Sequence, residues 1–219
     1  MAATQERLVQ TFRRFAVDVD RLESVFRDAL RGGFTLDSAT PALNRAAAWH
    51  CVIELQDCWA RFCKEAVLVS ARGGVVTRSG RTVPRSRLLG PRDDPEQELQ
   101  RLWQQSYGHW PRFGPSWEVP VRAIQAAQLL AIGNFAQFSA GIGAQAFAPQ
   151  ELKACRNFLA HRHAGTANHQ DILLLRQRVG GSAFGVAPGA LSAQFIQGQV
   201  TVFEDWCNEL IALAGAALQ

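Results

Sequence analysis

The chain has 219 residues, of which 47% are hydrophobic and 19% are charged, so it can bury a substantial core and wholesale disorder is not expected. No run of about 18 or more apolar residues occurs, and the N-terminus lacks the basic and apolar segments of a signal peptide. We therefore expect a cytoplasmic protein without a membrane span. The formal net charge is +4, and all but two of the 23 basic residues are arginine. Arginine matches phosphate oxygens, but a GC-rich coding bias gives the same composition, and so modest a charge does not by itself indicate nucleic-acid binding.

Apolar residues recur at three- and four-residue spacing along most of the chain, which predicts amphipathic helices. We expect helices over residues 4–30, 42–71, 95–107, 118–138 and 190–216, and a shorter helix that starts at Pro149. Two short β-branched runs around Ser79-Gly80 predict a small hairpin over about residues 73–84. The fold class is therefore all-α: an up-and-down bundle of about five or six helices with a hairpin insertion, in one domain over residues 1–219.

The cysteines do not indicate a disulfide framework. Their number is odd, no C-x-x-C pair occurs and most lie within helical patterns. We interpret them as small buried apolar residues: Cys51, Cys58, Cys63, Cys155 and Cys207.

Arginines cluster in and after the predicted hairpin. One interpretation is a solvated excursion between two helices. The other is a basic flap that holds an RNA backbone through its phosphates. The candidate RNA-binding residues are Arg78, Arg81, Arg85 and Arg87, together with Arg162 further along the chain.

The run Arg156-Asn157-Phe158-Leu159-Ala160-His161 is the strongest candidate for a catalytic site. It lies near the end of a short predicted helix, just before a glycine-containing loop. Asn157 and His161 are four residues apart and share a helix face, so the amide can orient the imidazole. Arg156 precedes His161 by roughly 7.5 Å along the helix axis, so a phosphate gripped by the arginine would lie beside a hydroxyl within reach of the histidine.

Two other arginine–histidine pairs, Arg45 with His50 and Arg162 with His169, have comparable spacing, which shows that spacing alone is weak evidence. Arg45 and His50 lie within a long apolar helix, and we interpret His50 as a core or interface residue.

The run 156–161 resembles the R-N-x-x-x-H form of the Arg-x(4–6)-His signature of the HEPN superfamily of ribonucleases. The upstream run 48–62 is similar to the long tryptophan-bearing helix of branches such as RiboL-PSP-HEPN, and the Gly-rich excursion after it fits that branch loosely. The resemblance covers residues 42–165 in organisation and six residues in sharp motif. It departs from many members where Arg162-His163 replaces a small residue, and no tyrosine follows two residues after His161.

The resemblance implies a helical bundle that dimerises, so that two motifs meet in one cleft and cut RNA without a metal or another cofactor. On this interpretation His161 removes the proton from a ribose 2′-hydroxyl, which attacks the adjacent phosphate. Arg156 stabilises the charge that grows on the phosphorane, and Asn157 orients His161 or contacts a phosphate oxygen. Glu54 and His163 are candidate supporting residues. The expected partners are RNA, a second copy of the chain and, for a toxin or phage-defence effector, an antitoxin or regulatory protein.

A non-catalytic helical module that binds RNA, a nucleotide or a partner protein is the alternative, because helical bundles carry arginine and histidine for packing reasons alone. A metal site is not predicted. His161, His163 and His169 form a histidine-rich tract, but no cysteine or carboxylate stands at ligand spacing beside them.

Overall fold

A computed structural model describes residues 7–30, 41–112, 114–161 and 201–219. This part of the chain is about 70% helical, with seven helices and a two-stranded sheet, and it confirms the all-α class. Across these residues, no helix combines the length and the apolar character that crossing a membrane requires. In chain order the elements are α1 (Arg7–Leu30), α2 (Ala42–Arg72), β1 (Val75–Val76), β2 (Thr82–Val83), α3 (Pro95–Tyr107), α4 (Pro120–Leu129), α5 (Phe135–Ile142), α6 (Ala148–His161) and α7 (Val202–Ala217).

The chain groups into two compact units. Unit 1 comprises Met1–Ala16, Cys58–Gln145 and Ile211–Gln219, and unit 2 comprises Val17–Asp57 and Ala146–Leu210. The single domain over residues 1–219 stays a prediction.

Unit 1 is built around aromatic side chains and the hairpin. The ring of Phe62 lies 4.8 Å from that of Phe15 and 5.7 Å from that of the fully buried Trp59, measured between centroids. The predicted hairpin is confirmed, because β1 and β2 pair antiparallel with Val75 opposite Val83. The ring contacts bury apolar side chains of α2, a helix that the sequence pattern predicts.

The helix predicted over residues 118–138 is wrong as a single element, because α4 ends at Leu129 and α5 begins at Phe135. Between them Ala131 adopts a left-handed conformation, with φ of 47°. Gly133 packs so closely on the hairpin that a Cβ there would lie 2.5 Å from Pro84 Cγ. The apolar periodicity continues through both helices and hides the break, although Gly133-Asn134 is a recognisable turn signal.

Contacts between α1 and α7 hold part of unit 2 together. Phe26 of α1 stacks on Phe203 of α7, with 4.3 Å between ring centroids. Arg27 Nε donates to Glu204 Oε1 at 2.6 Å and also pairs with Glu23. The helix predicted over 190–216 is observed from Val202 to Ala217, and the segment 190–200 lies outside the described residues.

The cysteines are buried in both units, as predicted. Burial raises the pKa of the Cys51 thiol to about 11 and raises the pKa of the Cys63, Cys155 and Cys207 thiols above their ordinary value. Because the thiolate is the reactive form, these side chains are chemically inert in the folded chain.

We expect a maleimide to label none of the five cysteines within minutes in the native protein at mildly alkaline pH, and all five after unfolding. Mass spectrometry counts the labels. The variant Gln97→Cys places a thiol at an exposed position of α3 and serves as the control that labels once in the native state. Rapid native labelling of any natural cysteine would contradict the expected burial.

A reciprocal cap starts α7. The backbone N–H and the hydroxyl of Thr201 donate to Glu204 Oε2 at 2.7 and 2.9 Å, and the Thr201 hydroxyl accepts from the Glu204 N–H at 3.3 Å. Burial raises the pKa of the Glu204 carboxyl, but the hydrogen bonds from Thr201 and Arg27 lower it by more, so the net pKa lies below the ordinary value. Burial is the main reason why the pKa of the neighbouring Glu23 carboxyl lies above its ordinary value. This capping box therefore depends on a charged carboxylate.

The charge on Glu204 should stabilise the fold at neutral pH and not in acid. Since its folded pKa is depressed, the contribution is complete above the unfolded pKa of about 4.3 and disappears as the pH falls through the folded pKa. Glu204→Gln keeps the cap and removes the charge, so it should lower the free energy of unfolding by about 1 kcal/mol near pH 7 and by much less near pH 3.

Urea unfolding at the two pH values measures this effect. Asp57→Asn, at an exposed position of the same unit, is the control and should show no such pH-dependent difference. An equal loss at both pH values for Glu204→Gln would refute the role of the charge.

Candidate functional site

The candidate motif occupies the C-terminal half of α6, which is described from Ala148 to His161, and its helical position is as the sequence predicts. Arg156 and Asn157 are both half-buried, and Arg156 Nη1 donates to Asn157 Oδ1 at 3.4 Å. This hydrogen bond is long, so it holds the guanidinium weakly. The His161 side chain lies outside the part of the chain that the structure describes. The structure therefore brings two of the three predicted catalytic side chains together and fixes the helix position of the third.

Helical periodicity sorts the residues of α6 into two faces. One buried face consists of Ala148, Glu151, Leu152, Cys155 and Leu159, and Ala154 is buried as well although it lies on another side of the helix. Asn157 lies on the opposite side, and position 161 shares that side because it is four residues further along. Arg156 falls at the flank between the two faces. Because Ala154 is buried and lies two turns before position 161 on nearly the same side, packing also reaches the flank of the predicted site.

Two carboxylates connect α6 to α7. Glu209 Oε2 accepts from the backbone N–H groups of Phe147 and Ala148, at 2.9 and 2.8 Å, and so satisfies donors at the N-terminus of α6. One turn further, Trp206 Nε1 donates to the buried Glu151 Oε2 at 2.7 Å. A negative charge at this end of a helix is also favoured by the helix dipole. Both anchors lie near the N-terminus of α6 and leave its motif-bearing end to other contacts.

Sequence reasoning missed these anchors. Glu151 looks like an ordinary first-turn acid, and Glu209 like a polar residue on the closing helix. The available signal is weak: Trp206 and Glu209 are three residues apart, so one face of α7 presents an indole and a carboxylate together.

The predicted supporting residues are not assembled with Arg156 by any observed bond. Glu54 is half-buried on α2 in the same unit as α6, and within the described ranges its side chain makes no hydrogen bond or ion pair. His163 and Arg162 lie outside the described residues. Their proposed roles stay predictions.

The four other predicted RNA-binding arginines belong to unit 1, whereas α6 belongs to unit 2. The Arg78 guanidinium stacks on the ring of Phe12, 4.3 Å from its centroid. Arg85 donates to the carbonyls of Arg72 and Pro91 at 3.1 and 3.5 Å, which satisfies the end of α2. Arg81 and Arg87 are exposed. Two of the four guanidinium groups thus have structural contacts that sequence clustering did not anticipate.

Of the two interpretations of His50, the core position is wrong, because His50 is exposed on α2 while its neighbours Cys51 and Val52 are buried, and the interface position stays a prediction. Its position falls on the outward side of an otherwise apolar helix. As for metals, no cluster of three or more His, Cys, Asp or Glu side chains within the described ranges is placed to hold an ion.

The hydrogen bond from Trp206 to Glu151 gives a sharp stability prediction. Trp206→Phe keeps a buried ring but removes the donor. It should therefore lower the free energy of unfolding by about 2 kcal/mol more than the same change at a tryptophan without this bond. Trp59→Phe is the matched control: Trp59 is fully buried too, and its Nε1 has no hydrogen-bond partner among the described residues. Urea unfolding of both variants measures the difference, and equal losses would contradict the importance of this bond.

No family model, no curated protein and no solved structure matches this chain. The HEPN resemblance of α6 therefore stays an expectation, and the function has to be inferred from the residues themselves.

Proposed function

We propose that the protein is a metal-independent endoribonuclease that cuts RNA by internal transesterification. The observation that supports this most is the pairing of Arg156 with Asn157 on a helix that is anchored at its start and carries position 161 one turn beyond Asn157. A cation, an amide and an imidazole position on adjoining parts of one helix surface supply the groups that this chemistry needs.

In the proposed reaction, the His161 imidazole takes the proton of a ribose 2′-hydroxyl. The 2′-oxygen forms a bond to the neighbouring phosphorus while the bond from phosphorus to the 5′-oxygen breaks. The 5′-oxygen leaves with a proton from an acid, for which we propose the matching histidine of a second copy. The products are a 2′,3′-cyclic phosphate and a 5′-hydroxyl, and no oxidant, reductant or metal takes part.

The other two residues act on the phosphate and on geometry. Arg156 stabilises the negative charge of the phosphorane. A charged donor is more effective in a site that excludes water than in bulk water. Asn157 Oδ1 already accepts from Arg156. Its Nδ2 is the group that would orient His161 or donate to a phosphate oxygen. A homodimer with a composite site, and restraint by an antitoxin or regulatory partner, belong to the same proposal.

The test is cleavage of a mixed-sequence RNA by purified protein in the presence of EDTA. Wild type should cut and leave cyclic phosphate ends, which phosphatase sensitivity and mass spectrometry identify. His161→Ala and Arg156→Ala should each reduce the rate by about a hundredfold or more, as loss of a general base or a charge-stabilising donor does. An oligonucleotide of the same sequence with 2′-deoxyribose at every position should not be cut, because it lacks the attacking hydroxyl.

His50→Ala is the matched control, because it removes an exposed histidine of unit 2 that also follows an arginine by five residues. It should cut at the wild-type rate. Cleavage that persists in both motif variants, or that disappears with EDTA, would overturn the mechanism. RNA binding without cleavage by wild type would instead favour the non-catalytic helical module.

A further inference from the structure

The part of α6 that solvent can reach is a narrow polar strip. Four of its described side chains are not buried: Gln150 is exposed, and Lys153, Arg156 and Asn157 are half-buried. Every other described side chain of this helix is buried. Position 161 lies along the same strip, because it follows Asn157 by four residues. A ligand of α6 can therefore reach the helix only along this strip.

Lys153 is a neighbour of both described side chains of the proposed site. It precedes Arg156 by three positions and Asn157 by four on the same helix. These are the two spacings at which side chains meet on a helix surface, with about 5–6 Å between Cβ atoms. The three residues therefore form a triangle on the accessible strip, and one extended ligand can contact all of them.

The strip carries two positive charges and no negative one. Its charged residues are Lys153 and Arg156, and neither forms an ion pair with a carboxylate within the described ranges. The acid of α6, Glu151, belongs to the buried face, where it accepts from Trp206. Like charges three residues apart on a helix repel each other, so an anion bound between Lys153 and Arg156 would relieve an unfavourable interaction.

The helix dipole does not account for the cation at position 153. The dipole favours a positive charge only within about the last turn of a helix. Helix α6 continues for eight residues beyond Lys153, which is about two turns. The ammonium also makes no hydrogen bond within the part of the chain that the structure describes. A ligand is therefore a better explanation for this charge than local helix stability.

We propose that Lys153 holds the phosphate next to the one that is cut, so that the site engages two consecutive phosphates of one RNA strand. This inference rests on the proposed ribonuclease function. The planar fork of Arg156 holds the phosphate that reacts, and the Lys153 ammonium, a compact charge on a flexible stem, pairs with its neighbour. A backbone contact of this kind adds affinity for any sequence and selects no base. The preferred substrate is therefore a strand with at least two phosphates.

The test compares the cleavage of three short substrates of mixed sequence in the presence of EDTA. Each contains a single ribose among deoxyriboses and so a single cleavable bond. One is a dinucleotide with one phosphate, and two are trinucleotides whose second phosphate lies on the 5′ or the 3′ side of that bond. Lys153→Gln should raise KM about tenfold for one of the trinucleotides and leave kcat unchanged, because it removes a charged contact from a phosphate that does not react. It should not change either constant for the dinucleotide.

Two variants serve as controls. Lys153→Arg keeps the positive charge and should retain most of the affinity for the trinucleotide. Arg21→Gln removes an exposed arginine of α1 in the same unit and should leave the kinetics on all three substrates unchanged. Circular dichroism confirms that the variants are folded.

A binding titration separates this inference from the proposed function. The probe is a single-stranded oligonucleotide of mixed sequence with 2′-deoxyribose at every position, which the proposed reaction cannot cut. The logarithm of its association constant should fall linearly with the logarithm of the salt concentration. Lys153→Gln should reduce that slope by about 0.7, the value for one phosphate contact on a single strand, and Arg21→Gln should not change it.

The two failures are distinguishable. If the wild type cuts none of the substrates, the proposed function fails, and the salt slope still decides whether Lys153 contacts a phosphate. If the wild type cuts, three results would overturn the role of Lys153 and leave the ribonuclease intact: the same effect of Lys153→Gln on dinucleotide and trinucleotides, a loss in kcat alone, or an unchanged salt slope. A wild type that does not bind the oligonucleotide at all would also refute the contact.

Discussion

The hydrogen bond from the Trp206 indole to the buried Glu151 carboxylate is the constraint on which the candidate catalytic helix depends. A carboxylate that is 3% exposed loses its hydration, so its stability requires donors inside the protein. Trp206 supplies one such donor at 2.7 Å. Glu209, on the same helix as Trp206, accepts hydrogen bonds from two backbone N–H groups at the start of α6. Helix α7 therefore provides the donor at the first contact and the acceptor at the second. Such reciprocal bonds fix the axial position of α6 on α7, which apolar contacts alone specify less sharply.

In unit 1 the elements are held together by close approaches of the backbone and not by a buried carboxylate. Gly133 meets Pro84, and Gly141 lies so near the end of α7 that a Cβ would be 2.3 Å from the Ala217 nitrogen. Arg78 fills the space beside Gly215, and its backbone N–H donates to the Leu218 carbonyl at 2.7 Å. The hairpin, α5 and the end of α7 are thereby locked together at three places. The short helix α5 has little stability of its own, so these contacts have to hold it.

The sequence predicts elements with strong periodicity well and predicts tertiary partners poorly. The start of α3 follows from Asp94, Pro95 and the acidic first turn, all of which act within a few residues, and Asp94 does cap this helix. The break between α4 and α5 escapes detection because apolar residues continue on both sides of it. The apolar neighbours of His50 suggest a core or interface position, but a helix buries only some of its sides, and His50 lies on an exposed one. Glu151 and Trp206 are 55 residues apart, and no local pattern connects them. The arginines near the hairpin show the same limit, since Arg78 and Arg85 make contacts that depend on distant packing.

The contrast between the two ends of α6 bears on how the proposed site would work. At its start, α6 is held by bonds of 2.7–2.9 Å to α7, whereas Arg156 and Asn157 meet at 3.4 Å near its end. Among the described residues the Arg156 guanidinium makes one long hydrogen bond, so with respect to them it keeps most of its donors for a phosphate and loses little when it turns toward one. A rigid base with a loosely held arginine is what a composite site needs if RNA and a second copy complete it. The rigid part would set the distance to the partner motif, and the arginine would close on the substrate. Catalysis in such a site depends on dimerisation, so the cleavage rate per chain should fall when the protein is diluted below the dissociation constant of the dimer.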